Sequence, residues 1–87
     1  MFKGMDVDGG RNCAVVLDAK AGELEQTATQ LSQAIRGFDW RGPDADRTRQ
    51  SWDTDQVRAL QSVVEALRAF STLIKTQAED QEKVSAA

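Results

Sequence analysis

Apolar residues in the first half of the chain recur at alternating steps of four and three: Leu17, Ala21, Leu24, Ala28, Leu31, Ile35 and Phe38. That alternation keeps one stripe of a helix in line, so the stretch predicts an amphipathic helix with a heptad seam. Ala14 and Gly10 extend the phase backwards, although Gly9, Gly10 and Asn12 are poor helix formers. The predicted first helix runs from about residue 10 to Phe38, with Asp8 as its N-cap. The rhythm returns in Leu60, Val63, Leu67, Phe70 and Ile74, extrapolating back through Gln56 to Trp52 and forward to Gln77, Gln81 and Val84. A second helix from Asp44 to about Val84 follows, and the two rods should measure about 42 and 60 Å at 1.5 Å per residue. Asp53 followed by Gln56 resembles a capping box, which would mark a kink or restart, but the preserved apolar phase favours a continuous helix.

Between the rods lies FDWRGPDAD, residues 38 to 46. Gly42 can take the positive φ of a tight corner, and Pro43 suits the first turn of a helix, where its missing N–H has no partner to lose. Asp44 and Asp46 then favour the positive end of the helix dipole. The predicted architecture is all-α: an antiparallel helical hairpin of one domain, with the turn at 39–43. Trp40 is expected to fold over the end of the hairpin and Trp52 to lie on the seam facing the first helix.

The widths of the apolar stripes differ. The first seam covers about 120° of the helix circumference, whereas Val57, Val64, Ala66 and Leu73 widen the second to about 200°. One neighbouring rod cannot cover so much, and four wet large side chains would cost about 1.5 to 3 kcal/mol each. Dimerisation into a four-helix bundle is therefore expected. Its core and interface would draw on Leu24, Leu31, Ile35, Phe38, Trp52, Leu60, Val63, Val64, Leu67, Phe70 and Ile74.

Composition narrows the chemistry. At 87 residues the chain is near the lower limit for a self-sufficient core. With no histidine and one cysteine, it lacks the usual zinc spacings, the commonest general base and any internal disulfide framework. Cys13 is expected to be a partly buried, inert thiol. The acidic pairs Asp44 and Asp46, Asp53 and Asp55, and Glu79 and Asp80 have spacings that point carboxylates to different faces of a helix, so they read as solvated. Neither an enzyme nor a cofactor is expected.

Net charge is −3, and the arginines at 36, 41, 47 and 49 alternate with acids instead of forming the one-signed patch that nucleic acid requires. Helix charges are likewise balanced, which argues against membrane insertion and for partner-helix packing. Glu79, Asp80 and Glu82 oppose the dipole at the end of the second helix and predict a fraying last turn. No apolar run follows Lys3, so a cleavable secretory signal is not expected.

Trp40-Arg41-Gly42 is a Trp-x-Gly turn between two long helices, followed by Pro43, Asp44, Ala45, Asp46, Arg47 and the later Trp52. In this the chain resembles, over nearly its whole length, the Trp-x-Gly (WXG) family of small type VII, or ESX, secretion proteins, the early-secreted-antigen-like group. The resemblance implies a non-catalytic hairpin that pairs as a homodimer or as a heterodimer with a related WXG protein. It further implies export from the cytoplasm by the type VII secretion ATPase, with Trp40 and Gly42 as the turn and export motif and Trp52 as the aromatic inside the second helix. The chain departs from the family pattern in two places. Thr48 stands where relatives often carry a large apolar residue, and without a tyrosine the chain has no Tyr-x-x-x-Asp/Glu signal. Two other classes fit the same residues: a cytoplasmic coiled-coil adaptor or structural subunit, and the N-terminal targeting domain of a longer secreted toxin.

Overall fold

Two antiparallel helical rods joined at a single corner make up the computed structural model, which describes residues 4–86. The first rod is α1, Val7–Gly37; the second comprises α2, Pro43–Ser51, a π-helical turn at Trp52–Gln56, and α3, Val57–Ala86. The hairpin measures 67 × 16 × 14 Å, and no strand occurs among the described residues.

The expected boundaries hold to within a few residues, and the differences have local causes. α1 begins at Val7, with Asp6 rather than Asp8 in the N-cap position, extended at φ −75° and ψ 103°. The Asp6 carbonyl accepts from Gly10 N–H at 2.8 Å, closing the first turn one residue after another through the glycines that made this end look weak. α1 stops at Gly37, one residue short of the expectation, and Phe38 leaves the helix with extended backbone. At the corner Gly42 has φ 113° and ψ 173°, a region open essentially to glycine alone. Pro43 opens α2, and the Gly42 carbonyl receives Asp46 N–H at 3.1 Å. Glycine and proline thus do at the corner what their backbone restrictions allow.

The second rod is not a regular α-helix throughout. Val57 N–H bonds to Trp52 O, five residues back, so one extra residue is accommodated between α2 and α3. Inward positions show the result. Ala45, Arg49 and Trp52 keep steps of four and three; the next is five, to Val57; then Leu60, Val64, Leu67, Ser71, Ile74, Ala78 and Gln81 resume the alternation. The expected continuous phase through Gln56 is therefore displaced by one residue, and Gln56 is exposed. Val64 and Ser71 occupy the places on the hairpin face expected for Val63 and Phe70, which are exposed.

The core is thin. Among the described residues its buried members are Ala14, Ala21, Ala45, Val64, Ala78 and Ser71, and none of their fully buried side chains is larger than the serine. Small residues let the rods approach closely; at Gly10 an added Cβ would stand 3.6 Å from Ile74 Cγ2 and 3.0 Å from Met5 Sδ. The Ser71 hydroxyl donates to Ala14 O at 3.1 Å, so this buried polar group is satisfied.

Candidate functional site: a corner and two unlike flanks

An arginine organises the corner. Arg49, one helical turn after Ala45 on the inward face of α2, reaches across to the end of α1. Its Nε donates to Ile35 O at 3.1 Å, and the two terminal nitrogens donate to Trp40 O at 2.8 Å and Phe38 O at 3.1 Å. The last carbonyls of a helix have no partners within it and carry the negative end of its dipole. A guanidinium, with its fan of donors, answers both needs at once. The same group lies 5.6 Å from the Phe38 ring centroid and 5.8 Å from that of Trp40, and these two rings stack at 5.7 Å.

Trp40 stacks on Phe38 at the corner, and both rings are partly exposed, Phe38 more than Trp40. Trp52 is on the seam as expected, half-buried, with its indole N–H donating to Ser32 Oγ at 2.8 Å. Arg36 and Asp53 form an ion pair beside it. The two tryptophans share one open groove of about 530 Å³, lined by Ile35, Phe38, Trp40, Thr48 and Trp52 among others. Thr48 is exposed at its rim.

Away from the corner the hairpin has two different flanks. On one, Arg11, Asp18 and Glu25 stand at seven-residue steps along α1 and meet Glu82, Lys75 and Arg68 at seven-residue steps along α3. The Arg11–Glu82 and Asp18–Lys75 contacts are both 2.8 Å, and Arg68 also hydrogen-bonds Glu25. Signs complement at every step, so sliding one rod by a heptad would put Arg11 against Lys75. The pairs are complementary in the register the corner sets.

The opposite flank is mainly apolar, interrupted by the exposed Lys20–Glu23 pair. Seven-residue steps along α1 carry Leu17, Leu24, Leu31 and Phe38, and along α3 they carry Val63 and Phe70. In an antiparallel pair the flanks away from the ion pairs lie on the same side of the hairpin. Leu31 is 43% exposed, Phe38 54%, Val63 49% and Phe70 60%, with Leu73 beside them at 50%. Of the expected core and interface set, Leu24, Ile35, Trp52, Leu60, Val64, Leu67 and Ile74 lie at or near the seam. Leu31, Phe38, Val63 and Phe70 form the open flank. Cys13 is exposed, not partly buried as expected, because it sits one step off the inward position held by Ala14.

Charge shifts follow the ion pairs. The Arg68 guanidinium holds Glu25 below its ordinary value, Arg11 does the same to Glu82, and the Lys75 ammonium, with the Ser71 hydroxyl second, lowers Asp18. A carboxylate whose folded pKa is depressed contributes stability above its unfolded value, about 4, and loses it as pH falls through the folded value. Thermal unfolding followed by circular dichroism should accordingly give a nearly constant midpoint from pH 7 to about pH 5 and a declining one below about pH 4. A midpoint that rose on acidification would contradict the pairing. Since all these groups are exposed, salt should weaken them in the same assay.

No helix among the described residues is long and apolar enough to cross a membrane. Among the same residues no cluster of three or more His, Cys, Asp or Glu side chains could hold a metal ion. Set against protein-family models, curated proteins and solved structures, the chain matches none.

Proposed function

We propose that the protein is a non-catalytic association module of the type VII secretion kind. Its hairpin pairs through the apolar flank with a second copy or a related hairpin to make a four-helix bundle, and it serves as an export substrate or as an export-targeting partner. One observation carries the association. The side chains the hairpin buries are mostly alanines and a serine, while Leu31, Phe38, Val63 and Phe70 remain exposed along one flank, with Leu73 next to Phe70 toward the back. A chain of this length with so thin a core gains most by covering that side. The charged flank has its partners within the hairpin, so helix–helix packing on the other flank leaves those three pairs intact and has to accommodate only the exposed Lys20–Glu23 pair.

The secretion reading rests on the Trp40-Arg41-Gly42 corner between two long helices. That corner presents an exposed aromatic pair held by Arg49, a rigid feature at the tip of the rod that the secretion ATPase or its adaptor can address. The protein would then be cytoplasmic while it folds and leave the cell through the type VII machine. The test is release from a host with an intact type VII machine, comparing wild type with Trp40→Ala. Export of wild type and at least tenfold less release of the variant, at equal intracellular level, is the expected result. Equal release would remove the corner from the export signal, and no release of either chain, alone or with a paired relative, would sink the secretion reading.

A further inference from the structure

The second rod carries two adjacent apolar stripes. One, Val57, Leu60, Val64, Leu67, Ser71, Ile74 and Ala78, faces α1; the other, Val63, Ala66, Phe70 and Leu73, is what a regular helix continuing from Trp52 through Gln56 and Ala59 would turn toward α1. Only the extra residue in the turn at Trp52–Gln56 separates these outcomes. On the corner side of that turn the rod is fixed to α1 by Arg49, by Trp52 to Ser32 and by Asp53 to Arg36. On the far side it is fixed by Arg68, Lys75 and Glu82 and by the buried Ser71 hydroxyl.

We infer that the π-turn is a register selector: it assigns the small-residue stripe to α1 and thereby hands Val63 and Phe70 to the partner. Were the turn to relax to regular helix with the corner held, α3 would rotate by about 100°, one residue's worth. Phe70 would then take the place of Ser71 against Ala14, and Leu67, Ile74 and Gln81 would take the places of Arg68, Lys75 and Glu82. Three ion pairs would open and the outward stripe would disappear. A partner that buries Val63 and Phe70 therefore stabilises the π-turn, and whatever relaxes the turn releases the partner. This last consequence rests on the association proposed above; the register does not.

The experiment reads the register by thiol labelling of the whole chain in a Cys13→Ser background. Phe70→Cys and Ser71→Cys are compared at a dilution where sedimentation gives the mass of one chain, with Val63→Cys and Val64→Cys as a second pair. The thiols at 70 and 63 should react at least tenfold faster than those at 71 and 64. Deleting Thr54 removes the extra residue and turns the five-residue step into four, leaving both inward sets in place. The deletion should therefore fold, retain the contrast within about twofold and unfold at a temperature no lower than the parent. Faster reaction at 71 than at 70, equal rates in both pairs, or a deletion that fails to fold or inverts the contrast would overturn the selector. Sedimentation of the unlabelled chain at high concentration reads the association separately, so failure of one idea leaves the other measurable.

Discussion

Replacing Val63 by serine and Phe70 by glutamate is expected to weaken association by at least about 100-fold while leaving the hairpin folded. The two residues are 49% and 60% exposed in the single hairpin, so their loss removes little of its own packing. In a symmetric pair each substitution counts twice. Covering a large apolar side chain contributes about 1.5 to 3 kcal/mol when burial is complete. Even about half of that for Phe70, taken in two copies with a smaller share from Val63, gives about 3 kcal/mol, which is more than two decades in Kd. The glutamate adds the desolvation of a charge if the partner still docks. Sedimentation equilibrium gives the Kd, and far-UV circular dichroism confirms that the helix content has not changed. A substitution of Val15, exposed on the charged side of α1, is the control. Equal loss there would mean that the apolar flank has no privileged part in assembly.

What the heptads made legible was the pair of rods and the corner, because four-three spacing and a glycine-proline turn depend on local geometry alone. The phase of the far half of the second rod was not legible from hydrophobicity. A reading by apolar size prefers Phe70 to Ser71 and Val63 to Val64 or finds them equal, and it carries the stripe smoothly through Gln56. The signal that decides is the charge pattern: Arg11, Asp18 and Glu25 against Glu82, Lys75 and Arg68, complementary at seven-residue steps in opposite chain directions. Those charges read as merely balanced when summed by face, and they become a code only when paired across the corner. They place Arg68 and Lys75 beside the seam, which forces Val64, Ser71 and Ala78 inward. The π-turn is then required to keep Trp52 inward as well. Closeness of packing points the same way, since a serine and alanines let two backbones approach where phenylalanine would not. The exposure of Cys13 follows from the heptad already legible, because the seam at this end runs through its neighbour Ala14.

Arg49→Ala is expected to destabilise the hairpin by about 2 to 3 kcal/mol and to free the corner aromatics. Hydrogen bonds from a charged donor contribute roughly 1.5 to 3 kcal/mol each where they are shielded, but only the bond to Ile35 is partly buried, and those to Phe38 and Trp40 are exposed. The total therefore stays near the value of one good bond plus fractions of two. For a domain of this size that lowers the melting midpoint by about 10 to 20 °C. Arg49→Lys separates charge from shape: an ammonium keeps the favourable sign beside the helix end but cannot spread three bonds over carbonyls of Ile35, Phe38 and Trp40. If the fan of donors matters, lysine should recover less than half of the lost stability; if only the dipole matters, it should recover nearly all. Tryptophan fluorescence supplies a second readout. With the guanidinium gone, nothing but the stack on Phe38 holds Trp40, so its quenching by acrylamide should rise, while Trp52, bonded to Ser32, should change little. Trp40→Phe and Trp52→Phe backgrounds assign each signal. An alanine variant as stable as the parent, with Trp40 as shielded as before, would show that the corner is held by glycine and proline alone and that the arginine is a bystander.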